Sequence, residues 1–144
     1  MQTKIELKSI EDTEKLANKI ASEIFGGQIL ALEGPVGAGK TTFVKALAKE
    51  LGITETVVSP TYTLLQPYEL PNSVNGVNTL IHIDAYRLES AEDLRAIGVE
   101  DFLNDFSALV IIEWPENCAE IFENRKVTFL KFEIIGEKRT ATIQ

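Results

Sequence analysis

A glycine-rich stretch, GPVGAGKTT, carries the residue types that are needed to hold a polyphosphate. It spans Gly34–Thr42 and matches the pattern G-x-x-x-x-G-K-[ST] of phosphate-binding loops. Glycines let a backbone turn tightly and approach a phosphate without a Cβ clash, and the exposed N–H groups form an anion-binding concavity. Lys40 supplies a mobile positive charge for the outer phosphates, and the Thr41 hydroxyl is placed to ligate Mg²⁺. The alternative is a glycine turn before an ordinary helix start.

Two acidic residues follow apolar runs that have the composition of buried strands. The runs are LIHID, which ends in Asp84, and LVIIE, which ends in Glu113. Ligand sites in open α/β sheets lie outside the carboxyl ends of strands, so both carboxylates are expected near the bound phosphates. One of the two carboxylates would hold Mg²⁺ through water and the other would orient the attacking water. The residues alone leave open which acid has which role. The alternatives are a loop-initiating Asp84 paired with Arg87, and a solvent-facing strand-end Glu113.

Four further features each admit a functional and a structural interpretation. SPTYT, Ser59–Thr63, is either a sensor of the γ-phosphate or a turn held by local hydroxyl bonds. Trp114 either stacks on a nucleotide or partner, or caps the core. Arg139 either reaches the nucleotide or lies on the surface. His82 shares a strand face with Asp84, and we interpret it as a packed strand residue and not as a catalyst.

The elements around the glycine stretch are those that a phosphate-binding loop requires. Gln28–Glu33 is predicted as a buried strand before it, and Phe43, Leu47 and Leu51 form a helical stripe after it. Upstream, a strand is predicted over Thr3–Lys8, and a capping box at its end opens another helix.

The second half of the chain is predicted to add further strands. TVVSPTYTLLQPYEL is interpreted as short strands around a loop, and Pro71–Gly76 as a turn. NTLIHID and SALVIIEW are predicted strands, and Lys126–Ile143 is a predicted hairpin. The fold class is therefore α/β. We expect a three-layer, P-loop NTPase-like and mostly parallel sheet with helices on both faces and added antiparallel strands, in a single domain over residues 1–144.

Composition excludes several classes of protein. The net charge is −8, so broad binding to nucleic acid is disfavoured and a partner is expected to hold any nucleic acid. No apolar run approaches the roughly 20 residues of a membrane span, and the N-terminus has no apolar signal core. The single cysteine, Cys118, permits no internal disulfide. We therefore expect a soluble cytoplasmic protein without a membrane segment.

Among phosphate-loop proteins, two classes fit the chain poorly. A GTPase should carry an N-K-x-D segment and a D-x-x-G switch, and neither occurs. A small-molecule kinase places several arginines around the transferred phosphate, whereas this chain has four scattered ones, Arg87, Arg95, Arg125 and Arg139. A small-molecule kinase and a non-catalytic nucleotide-sensing module nevertheless stay as alternatives to an ATPase.

Several stretches together resemble one family. GPVGAGKTT, SPTYTLLQPY, HIDAYRLES, GVEDFL and VIIEWPE occur in the order and spacing of the bacterial TsaE (YjeE) family, from about Ser9 to about Arg139. The resemblance implies a P-loop α/β fold that binds ATP or ADP with Mg²⁺ and hydrolyses ATP slowly when alone. It also implies a role in forming threonylcarbamoyladenosine in tRNA with the partners TsaD and TsaB, whose complex the hydrolysis would reset or remodel.

The resemblance also assigns site residues. Val36, Gly37, Ala38, Gly39, Lys40 and Thr41 would wrap the phosphates, Thr61 would belong to a switch-like loop at the nucleotide, and Trp114 would lie by the nucleotide or the partner. Thr42 and Arg139 complete the nucleotide contacts that we expect. Thr41 and Glu113 would hold Mg²⁺, and Asp84 would act near the γ-phosphate and the metal. Ser9–Thr13 would approach the base, through Thr13. Two departures are Pro35-Val36, where many relatives carry an acid and a leucine, and Ala85, where many carry leucine; neither removes a group with an assigned role.

Overall fold

The computed structural model describes residues 2–60 and 64–144, and its strands form a seven-stranded sheet. The elements in chain order are β1 (Thr3–Glu6), α1 (Ile10–Glu23), β2 (Ile29–Glu33), α2 (Lys40–Glu50), β3 (Leu65–Val74), β4 (Val77–Asp84), α3 (Glu92–Arg95), α4 (Val99–Leu103), β5 (Ala108–Glu113), a kinked 3₁₀ segment (Pro115–Phe122), β6 (Thr128–Ile135) and β7 (Lys138–Ile143). The strand order across the sheet is β1-β7-β6-β2-β5-β4-β3. In these residues no helix is both long and apolar enough to cross a bilayer.

The centre of the sheet is parallel and its two edges are antiparallel. Strands β6, β2, β5 and β4 pair in parallel with their neighbours. Strand β3 is added antiparallel at one edge, and β7 and β1 are added antiparallel at the other. The predicted α/β class, with a parallel centre and antiparallel additions, is confirmed.

Helices cover both faces of the sheet because successive residues of each central strand point to opposite sides. On one face, Leu30 and Leu109 belong to a core with α1 and α2. On the other face, Ile83 and Ile112 belong to a second core with α3, α4 and the 3₁₀ segment. Burying each such side chain contributes about 1.5–3 kcal/mol, which makes these two layers the main support of the fold.

The structure corrects the turn that was predicted over Pro71–Gly76 and the short strands that were predicted before it. Strand β3 is one long strand that continues through Pro71 to Val74. The turn consists of Asn75 and Gly76, whose φ angles of 50° and 83° are those of a two-residue Asn-Gly hairpin. Proline is tolerated in β3 because this strand lies at the sheet edge, where half of the backbone N–H groups have no strand to pair with.

The register of the central strands brings the two predicted acids together. Asp84 at the end of β4 pairs with Glu113 at the end of β5, and Glu113 also pairs with Leu32 of β2. Gly34 follows β2 directly, so the glycine-rich loop begins at the same edge of the sheet. A parallel register therefore places the loop and both carboxylates side by side.

Gly34 is expected to be intolerant of any side chain. Its φ is 142°, and a Cβ there would lie 2.4 Å from the backbone oxygen of Phe132 on β6. Because backbone strain and overpacking each cost about 1–3 kcal/mol, we expect Gly34→Ala to lower the free energy of unfolding by about 3 kcal/mol, measured by urea denaturation. Gly136→Ala is the matched control, since its φ is 63° but no heavy atom of the described residues would meet the new Cβ. Equal losses in the two variants would contradict the packing argument.

Candidate functional site

A cleft of about 540 Å³ lies at the carboxyl ends of β2, β4 and β5. The sequence-predicted site residues that line it are Thr13, Val36, Gly37, Ala38, Gly39, Lys40, Thr41, Thr42, Asp84, Glu113, Trp114 and Arg139. Thr61 lies outside the described residues. The structure thus brings the other predicted residues to one place, while their roles in binding stay predictions.

The glycine-rich loop is shaped to present backbone donors to an anion. Gly37 and Gly39 have φ angles of 83° and 106°, in the left-handed region that other residues rarely adopt. Gly39 caps α2 without a side-chain bond, so the first N–H groups of this helix have neither a side-chain acceptor at the cap nor an intrahelical carbonyl. The helix dipole adds a partial positive charge at this end. The Arg139 guanidinium supports the loop, since its Nε donates to the Gly37 carbonyl over 3.0 Å.

Lys40 is held at the centre of the cleft by two contacts. Its ammonium group donates to the Gly34 carbonyl and lies 3.6 Å from the centre of the Trp114 ring. Burial lowers the pKa of Lys40, while the negative charges of Glu113, Glu116 and Asp84 act in the opposite direction. A bound phosphate would bring further negative charge to this ammonium group and would favour its charged form.

Trp114 joins the cleft to the core. It takes a left-handed conformation with φ 60°, which is costly for a bulky residue and turns the chain sharply after Glu113. The indole packs against the second core and also lines the cleft, where its centre lies 4.9 Å from that of Tyr86. The core contact of this residue is therefore present in the structure, while stacking on a nucleotide or a partner stays a prediction.

Glu113 is a buried carboxylate that is held through both of its oxygens. The Thr41 hydroxyl donates to Oε1 over 3.3 Å, and Nε2 of His82 lies 2.6 Å from Oε2. The residue is only 3% exposed. A buried charge is costly unless it is hydrogen-bonded, so these contacts are what allow an acid at this position.

Asp84 lies in a more open position beside Glu113. Its Oδ2 accepts a hydrogen bond from the Ser59 hydroxyl over 2.9 Å, and its Oδ1 accepts from the Tyr86 backbone N–H over 3.0 Å. Ser59 belongs to the predicted γ-phosphate sensor, so this acid links that segment to the end of β4. The alternative pairing of Asp84 with Arg87 stays a prediction.

Sequence reasoning missed Leu7, Lys8 and Tyr86, which also line the cleft. Leu7 and Lys8 reach it because β1 pairs with β7, and the Leu7 N–H donates to the Arg139 carbonyl over 2.8 Å. Because that pairing joins strands from opposite ends of the sequence, no local sequence pattern indicates it. For Tyr86 a local indication existed, because it lies only two residues after the predicted strand-end acid Asp84.

Comparisons with known proteins agree with this architecture. A family model described as Threonylcarbamoyl adenosine biosynthesis protein TsaE matches residues 7–142. A Treponema pallidum protein named tRNA threonylcarbamoyladenosine biosynthesis protein TsaE is 38% identical over 136 residues, which cover 94% of this chain and 96% of the relative. A protein of the same name from Aquifex aeolicus is 42% identical over 112 residues, which cover 76% of this chain and 74% of that relative.

A solved structure extends the likeness to the fold. The crystal structure of Bacillus subtilis YdiB superposes with a TM-score of 0.74 at 29% identity, covering 99% of this chain and 84% of that one. The predicted P-loop fold is thereby confirmed. Since sequence and structure match over nearly the whole chain, the protein belongs to the TsaE family, whose members take part in forming threonylcarbamoyladenosine in tRNA.

Proposed function

We propose that the protein is an ATPase of tRNA threonylcarbamoyladenosine formation, which acts with TsaD and TsaB and whose hydrolysis resets or remodels their complex. Membership of the family supports the tRNA-modification part. The observation that carries the nucleotide part is the cleft itself, in which a loop of positive-φ glycines meets Lys40 and Glu113. Those groups supply donors and positive charge for phosphates and a carboxylate beside them.

Binding of ATP would use groups that the structure already holds in place. The loop amides and the start of α2 would receive the phosphates. Lys40 would exchange the Gly34 carbonyl for phosphate oxygens, a move within reach of a flexible side chain. Trp114 lines the remaining cleft together with Ser9, Ile10 and Thr13, and these residues would contact the nucleoside part.

The residues at the strand ends fit Mg²⁺. Among the described residues, no group of three or more His, Cys, Asp or Glu side chains is arranged to hold a metal. Mg²⁺ at a nucleotide does not need such a group, because one or two carboxylates, waters and substrate phosphates suffice. Thr41 and Glu113 lie in hydrogen-bonding contact and Asp84 is paired with Glu113 in register, so hard oxygen ligands meet here. When bound, Mg²⁺ would neutralise negative charge on the β- and γ-phosphates.

The two acids are proposed to divide the remaining work. Glu113 is buried and fixed against Thr41, which suits the metal side of the phosphates. Asp84 is half-buried and more open to solvent, so it would accept a hydrogen bond from the attacking water and hold it in line. Its contact with Ser59 would couple that water to the segment after α2.

The acidic surface is consistent with action through protein partners. With a net charge of −8, the chain would be repelled by tRNA phosphates and attracted to basic faces on TsaD or TsaB. The tRNA would then be contacted mainly through those partners, in the cytoplasm.

We expect weak ATP turnover by the protein alone and a clear rise when TsaD and TsaB are added. The measurement is phosphate release with each partner separately and together, with and without tRNA. No rise with both cognate partners would count against the proposal. Turnover that instead requires a metabolite and yields a phosphorylated product would favour a kinase, and ATP binding without any turnover would favour a nucleotide-sensing module.

A further inference from the structure

We propose that His82 is a positioning residue that fixes the carboxylate of Glu113, so that the oxygen facing Thr41 is aimed at the metal side of the cleft. This inference rests on the proposed Mg²⁺-dependent ATPase function. The sequence favoured a packed strand residue for His82, and the histidine is indeed completely buried. The structure adds a partner that the sequence did not predict.

The contact between the two side chains follows from the register of β4 and β5. His82 pairs with Ile111, and Asp84 pairs with Glu113, so His82 and Glu113 point to the same face of the sheet. Nε2 of His82 lies 2.6 Å from Oε2 of Glu113. This is a short bond between groups that water hardly reaches, since Glu113 is 3% exposed.

The second ring nitrogen defines how the histidine is used. Nδ1 of His82 is buried and finds no hydrogen-bond partner within the part of the chain that the structure describes. With Glu113 ionised, Nε2 must carry the proton that is shared with Oε2. The ring therefore acts as a one-sided donor aimed at Glu113.

Stability alone does not account for this arrangement. Replacing both His82 and Glu113 by apolar groups beside the buried Leu80 and Ile111 would often be neutral or stabilising, whereas removing His82 alone would leave a buried Glu113 oxygen unpaired. What the histidine adds is orientation. With Oε2 held by His82, Oε1 is turned to the Thr41 hydroxyl, which lies 3.3 Å away. Groups that hold a ligating carboxylate in this way typically affect metal affinity or activity by about 10–100-fold.

The first test reads the imidazole directly in the metal-free protein. His82 is the single histidine of the chain, so the ring-nitrogen NMR spectrum contains one imidazole. At one fixed neutral pH we expect a ring that carries a proton on Nε2, with signals that move strongly in Glu113→Gln. Glu120→Gln, an exposed acid outside the cleft, should leave them in place. A ring without a proton on Nε2, or signals indifferent to Glu113→Gln, would overturn the inference.

The second test separates positioning from packing. We expect His82→Leu to raise the Mg²⁺ concentration that half-saturates ATP binding by about 10–100-fold, measured by calorimetry with a non-hydrolysable analogue. The value of kcat should fall by a similar factor while KM changes little. His82→Gln should restore most of both, because its amide can donate to Oε2. Ile111→Val is the packing control, since Ile111 pairs with His82 in register, and it should leave both the Mg²⁺ dependence and kcat unchanged.

The outcomes distinguish the two proposals. Wild-type protein that neither binds nor hydrolyses ATP with its partners would overturn the proposed function. Normal wild-type turnover with unchanged Mg²⁺ dependence in His82→Leu would overturn the positioning role alone, as would a loss in His82→Gln as large as in His82→Leu. Should His82→Leu fail to fold, the wild type, His82→Gln and the imidazole spectrum still decide the question.

Discussion

Replacing Lys40 with alanine is expected to lower kcat/KM for ATP by more than about 10²–10³-fold, the loss that follows removal of one well-placed donor from an active site. The reason is the position of the ammonium group, which is held between the Gly34 carbonyl and the Trp114 ring on a residue that is 5% exposed. The charge of Lys40 in this site is screened less by water than the charge of the exposed Arg139 side chain. Calorimetric titration with ATP measures the loss of binding, and phosphate-release kinetics measure the loss of turnover.

The same change should leave the nucleotide-free protein as stable as the wild type, or slightly more so. Burial lowers the pKa of Lys40, which means that folding disfavours the charged form of its ammonium group. Removing that group therefore removes a cost of folding at neutral pH. Lys45→Ala on the exposed side of α2 is the matched control and should retain binding and turnover. Unchanged hydrolysis in Lys40→Ala would contradict the phosphate site.

The centre of the site could be predicted from sequence because its signals are local. The loop, Lys40 and Thr41 are consecutive, and a strand must precede them and a helix must follow for the motif to work. Asp84 and Glu113 were found by the same logic, since each closes an apolar run. Parallel strands then bring their carboxyl ends to one edge, whatever their order in the sheet.

The remaining features depend on which strands become neighbours, and local patterns do not specify that. The wall of the cleft formed by Leu7 and Lys8 exists because β1 lies beside β7. The pair of His82 and Glu113 exists because β4 lies beside β5 in one register. The strand through Pro71 was missed for the same reason, because proline is acceptable only at an edge and the edge is defined by the whole sheet.

Glu113→Gln is expected to reduce kcat by more than about 100-fold while changing the melting temperature of the nucleotide-free protein little. Loss of the partners of a ligating group alone costs about 10–100-fold, so loss of the ligating charge should cost more. The amide keeps the size of the side chain, and its oxygen can still accept from His82. Alanine is the poorer test, because it would leave a cavity and a buried imidazole donor without an acceptor.

Glu33→Gln is the matched control for Glu113→Gln. Glu33 closes the parallel strand β2 as Glu113 closes β5, but it does not line the cleft. If Glu113 were only a strand-end acid, the two glutamine variants would behave alike, with small changes in turnover and stability. A large loss of kcat confined to Glu113→Gln, together with a weaker Mg²⁺ dependence of ATP binding, is the result expected of a metal-side carboxylate. A fall in melting temperature without a matching fall in kcat would instead assign Glu113 to the fold.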